Sequence, residues 1–81
     1  MDTKDKADIQ MARIERVARG LAPDIVVLFD QNAPEGCIRF RMESRAGSVV
    51  AESDIIHSNE IVKWSDEELR RCIRTLAAGK I

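Results

Sequence analysis

Asp24-Ile25-Val26-Val27-Leu28-Phe29-Asp30 sets five consecutive apolar residues between two aspartates. The run is too short for a globular helix, and Ile25, Val26, Val27 and Phe29 are β-branched or aromatic, so it reads as a β-strand. A sheet with one wet face should alternate apolar and polar residues. Here both sides are apolar: Ile25, Val27 and Phe29 can face a core while Val26 and Leu28 face away. The strand therefore predicts a second face that something covers, with Val26 and Leu28 as its candidate interface residues.

Downstream, Gln31-Asn32-Ala33-Pro34-Glu35-Gly36 concentrates turn formers. Ile38, Phe40 and Met42 then alternate with Arg39, Arg41 and Glu43, the pattern of a half-buried strand. Arg45-Ala46-Gly47-Ser48 forms a turn centred near Gly47, and Val49-Val50-Ala51 continues as a third strand with room to reach Ile56. Connections this short suit hairpins and cannot make a parallel crossover, so an antiparallel meander is expected. From Asp54 to Lys63 the apolar residues come in pairs, Ile55-Ile56 and Ile61-Val62, which fit neither period; the segment leaves space for a fourth strand.

Upstream, Ala7, Met11, Ile14, Ala18 and Leu21 recur at spacings of four and three with Val17 beside them, which predicts a helix over 4–19 with that face buried. Arg13 and Arg16 are expected on its opposite side together with Ile9, and Gly20 and Pro23 serve as the stop. At the other end Ser65 and Glu68 have capping-box spacing, with Trp64 and Leu69 placed as a hydrophobic staple. The second helix starts at Asp66, buries Leu69, Cys72, Ile73 and Leu76, and ends before Gly79. The expected fold class is α+β: N-terminal helix, antiparallel meander of three or four strands, C-terminal helix, both helices on one face of the sheet. In order of elements this is similar to the double-stranded RNA-binding domains. Those domains carry a lysine-rich motif at the start of the second helix, where this chain reads Ser65-Asp66-Glu67-Glu68, so no site residue carries over.

Length and composition narrow the functions. Eighty-one residues describe a single domain, 1–81, whose core is marginal unless a partner adds to it. No apolar stretch reaches the roughly 18 residues of a membrane span and none follows the start as a signal peptide, so no membrane association and a cytoplasmic location are expected. Charge is uneven: residues 1–23 carry five basic and four acidic groups (+1), 24–68 four and ten (−6), and 69–81 four and none (+4).

Catalytic signals are sparse. His57 is the single histidine, and with Asp54 and Ser58 it lacks the separately positioned partners a triad needs, so it reads as an ordinary strand-end residue. Cys37, Cys72 and His57 fall short of a four-ligand structural zinc site, and Cys72 reads as a buried thiol. Phosphate-loop, dinucleotide and metal motifs do not occur; the expectation is no enzyme and no cofactor.

Two binding readings follow. The first is a small regulatory or adaptor protein acting by protein contact through Val26 and Leu28, with itself as a homodimer or with a larger protein. The second is a nucleic-acid-binding domain using Arg13, Arg16, Arg70, Arg71 and Arg74 on the two helices. Ordinary helix electrostatics also account for the latter set, since Asp66 to Arg70 and Glu67 to Arg71 are acid-before-base pairs at four-residue spacing.

Overall fold

The computed structural model describes residues 3–80. Its first element, α1 (Thr3–Leu21), buries Ala7, Ile14, Val17 and Ala18 and half-buries Met11 and Leu21, the face that the spacing predicts. The helix runs through Gly20, and the Ala22 amide still donates to the Ala18 carbonyl at 3.0 Å. Pro23, which has no amide to continue the ladder, is the stop.

The apolar run becomes β1 (Val26–Phe29). It pairs antiparallel with β3 (Phe40–Glu43), setting Val26 opposite Glu43 and Leu28 opposite Arg41. β3 pairs with β4 (Val49–Glu52), so the sheet order is β1-β3-β4 and the expected meander is present. Gly47, at φ 86°, makes the turn between the last two, where its amide donates to the Ser44 carbonyl at 2.9 Å.

The strand expected from Ile38 to Met42 is broken. Cys37–Ile38 forms a separate short strand, β2, that pairs with β5 (Ile56–His57) in a second, two-stranded sheet. The break falls where the buried Ser53 meets Phe40. Ser53 Oγ accepts from the Phe40 amide and donates to the Asp54 carbonyl, both at 2.9 Å, while the Ser53 amide donates to the Phe40 carbonyl. A side chain thus occupies a ladder position and the chain leaves the first sheet.

Asp54 to Lys63 resolves into β5 followed by the short helix α2 (Ser58–Val62). Ile61 is fully buried while Ile55 and Val62 are exposed, which explains why the pairs showed no clean period. The last helix, α3 (Asp66–Ala77), begins as expected: Ser65 is its N-cap and accepts from the Glu68 amide at 3.1 Å. The return half of the capping box differs, because the Glu68 carboxylate accepts from the Ser65 hydroxyl at 3.4 Å instead of from the Ser65 amide. Trp64 packs on the core but remains half exposed.

α1 packs against α3 and β1, and α3 against β4, so the helices lie on one face of the three-stranded sheet. Phe40, Met42 and Ala51 point into that layer and join Ile14, Ile38, Ile61, Leu69 and Ile73 in one buried cluster. Phe29 adds a tilted contact to Phe40, with ring centroids 6.4 Å apart.

Candidate interaction surface

The other face of the sheet is open. Side chains alternate along a strand, so burying Phe40, Met42 and Ala51 sends Arg41, Glu43 and Glu52 outward. The register places Val26, Glu43 and Val49 in one transverse row and Leu28, Arg41 and Glu52 in the next. Val26 is 45% exposed, Leu28 40% and Val49 45%. Val49 joins the two expected residues because a register shift between Met42 and Glu43 turns it to the outer side; its place in a Val49-Val50-Ala51 run carries no such signal.

Charged side chains lie among these apolar ones, with Arg41 and Glu43 on the central strand between β1 and Val49. Arg41 Nε lies 2.9 Å from the Glu43 carboxylate, and Arg39 reaches Glu52 at 3.4 Å and Asp30 at 4.0 Å. A shallow depression of about 300 Å³ between Leu28, Asp30, Arg39, Arg41 and Glu52 gives this face some relief.

β1 is also an edge strand. Ile25 to Phe29 contains no charge and no proline, the usual devices that keep an edge from pairing with another chain. The far edge strand, β4, carries the register shift, and α3 packs against that strand from the helix-covered face.

The arginines separate into two groups. Arg13 does not stand on the outer face of α1 as its spacing suggests. Its side chain is only 16% exposed and enters the junction between α2 and α3. Nε donates to Asp66 at 2.7 Å, Nη1 to Gln10 at 3.2 Å and to the Ile61 carbonyl at 2.9 Å, and Nη2 to the Trp64 carbonyl. One guanidinium therefore satisfies carbonyls at the end of α2 and the carboxylate that begins α3, using the directed donors that lysine lacks. Arg16 adds a second contact to Asp66 at 3.4 Å. The hydrogen bond from Arg13 is the main cause that holds the Asp66 carboxyl below the ordinary aspartate value; burial opposes it, and the charges of Arg13 and Arg16 and the Arg16 hydrogen bond add smaller lowering effects. Arg70, Arg71 and Arg74 are exposed on α3, and none of them enters an ion pair among the described residues.

His57 and Cys37 face one another across the β2–β5 pair. The imidazole is engaged locally, its Nδ1 accepting from the Asn59 amide at 3.1 Å as the N-cap of α2. Cys37 opens on an apolar groove of about 360 Å³ bounded by Met11, Phe29, Pro34 and Ile38. Cys72 is half-buried beside Trp64 and Leu76 along a groove of about 370 Å³, and burial pushes its thiol up, away from the reactive thiolate. Among the described residues no three His, Cys, Asp or Glu side chains are grouped to hold a metal ion, and no helix is long and apolar enough to cross a membrane.

Compared with protein-family models, with curated proteins and with solved structures, the chain finds no match in any of the three, so a functional reading rests on its own surface.

Proposed function

We propose that this chain is a small regulatory or adaptor protein that works by protein–protein contact, most simply as a homodimer, with the outer face of the three-stranded sheet at β1 as the contact. The observation that carries the reading is the exposure of Val26, Leu28 and Val49 together on the face opposite the helices. Single exposed apolar residues are ordinary, but Val26 and Leu28, two apart on one edge strand, are a recognised mark of association. Arg41 and Glu43 on the central strand, with Arg39 and Glu52 beside them, set charges of both signs next to Val26 and Leu28, which suits a self-complementary contact.

Light scattering tests this. The unmodified protein is expected at twice its 9.1 kDa chain mass at high micromolar concentration, and Leu28→Lys at the single mass with unchanged circular dichroism. A monomeric unmodified protein removes the homodimer.

The nucleic-acid reading keeps a narrower base, the exposed Arg70, Arg71 and Arg74 of α3, since the Arg13 side chain is drawn into the α2–α3 junction and Arg16 shares its exposed side chain with Asp66. Binding of that kind would be electrostatic and would fall steeply with salt. Loss of RNA or DNA retention in Arg70→Ala/Arg74→Ala, from a protein that binds at about 50 mM salt, would favour it over the first reading.

A further inference from the structure

The hydrogen-bond parity of β1 narrows how a second copy fits. The Asp30 amide donates to the Arg39 carbonyl at 2.9 Å, and Leu28 and Val26 face Arg41 and Glu43 in the same ladder. Residues two apart in an antiparallel strand turn their amides and carbonyls the same way. Val26, Leu28 and Asp30 therefore bond β3, and Val27 and Phe29 present their backbone groups to the open edge. Nothing among the described residues pairs with that edge.

We propose that β1 pairs antiparallel with β1 of a second copy about a twofold axis beside Leu28, joining the two sheets into one. This rests on the reading of β1 as the self-contact and specifies its geometry: the strands join at their edges, and Val49, on the far strand β4, lies outside the contact. A pairing that continues the sheet keeps helix-covered sides together, so facing residues must share a side and the axis must pass beside a residue.

An axis beside any of the four residues of β1 meets that condition. One at Val26 sets Phe29 opposite Pro23, which has no amide, and one at Phe29 sets Val27 opposite Gln31 in the turn beyond the strand, which leaves the axes at Val27 and Leu28. With the axis at Val27, Ile25 would face Phe29 of the second copy, but the Ile25 amide already donates to the Ala22 carbonyl at 3.0 Å. A Phe29 carbonyl would stay unpaired, and Asp24 would sit directly opposite Asp30 of the other copy, where like charges repel.

With the axis at Leu28, Val27 faces Phe29 of the second copy as a hydrogen-bonded pair, and the amides and carbonyls of both residues all find partners. Asp24 then faces Asn32, and Asp30 faces Val26. The two Leu28 side chains meet on the outer face as a non-hydrogen-bonded pair, with Cα atoms about 4.5 Å apart. The exposed leucine and the unpaired backbone are thus covered by the same contact.

A cysteine at the axis reports the register. In a Cys37→Ser/Cys72→Ser background, Leu28→Cys is expected to oxidise to a disulfide-linked dimer, because a Cα separation of about 4.5 Å lies within disulfide range. Val27→Cys is expected to remain unlinked; linkage there in place of Leu28→Cys overturns the Leu28 axis, and linkage at neither overturns edge pairing. Val27→Pro removes an edge amide where proline is tolerated, so it should give a folded monomer by circular dichroism and light scattering. A dimeric Val27→Pro protein also overturns the proposal. Mass measurement of the unmodified protein alongside separates the two levels. If it is dimeric and Leu28→Cys does not link, edge pairing fails while self-association stands; if it is monomeric, the homodimer itself fails.

Discussion

Within β1, Val27 and Phe29 lie against the helices while Val26 and Leu28, of nearly the same chemistry, face solvent. The covered side of the sheet and its open side therefore differ in what packs on them, not in how apolar the strand is. On the covered side every methylene sits among close-packed neighbours and its loss leaves a cavity. On the open side the same groups give the single chain little stability and remain available for a partner.

The largest effect should come from breaking that contrast directly. Met42, fully buried, and Leu28 lie on neighbouring strands but opposite faces. Met42→Ala should cost about 2 to 5 kcal/mol, enough to unfold a domain of this size, whereas Leu28→Ser should change monomer stability by less than about 0.5 kcal/mol. Urea unfolding at a concentration too low for association, followed by Trp64 fluorescence, makes the comparison. Equal losses would mean that the outer face is part of the monomer's core.

The same contrast divides two arginines one turn apart on α1. Arg13→Ala strips donors from the Ile61 and Trp64 carbonyls and should cost about 1 to 3 kcal/mol, while Arg16→Ala, at an exposed ion pair, should cost less than about 1 kcal/mol. Similar losses for both would show that ordinary surface electrostatics holds the α2–α3 junction.

At the far end of α3 the sign should reverse. Ala78 is its C-cap in a left-handed conformation, φ 51° and ψ 40°, which glycine adopts without steric cost. Ala78→Gly should raise stability by about 0.5 to 1 kcal/mol, read as a higher urea midpoint. An unchanged or lower midpoint would show that the cap is not strained.

The smallest effect is a pH dependence. Arg13 holds the folded-state pKa of Asp66 below the usual aspartate value near about 3.9. Its contribution is therefore fully present above that unfolded value and is lost as pH falls through the lower folded one. Asp66→Asn should flatten this part of the acid-unfolding curve and leave the neutral region's slope unchanged. A variant curve parallel to the original below about pH 4 would show that another carboxylate carries the dependence.

Much of the architecture was legible along the chain. The spacing of Ala7, Ile14, Val17 and Ala18 marks α1 because a helix returns the same face every three to four residues, and the Ser65 cap marks α3 because its hydroxyl satisfies an amide three positions away. The candidate site was legible in part. Val26 and Leu28 follow from β1 alone, but Val49 reaches the outer face only through a register shift between strands.

The sequence by itself determined the elements whose causes are local: the helix periodicity, the Ser65 cap, the Gly47 turn and the strand apolar on both sides. Only the tertiary structure decided that Val49 would turn to the outer face, that Ser53 would break the second strand at Phe40, and that Arg13 would reach Ile61, Trp64 and Asp66 from about fifty residues away. Each of these depends on groups distant in sequence, and hydrogen bonding and burial act on distance in space, which no local spacing encodes.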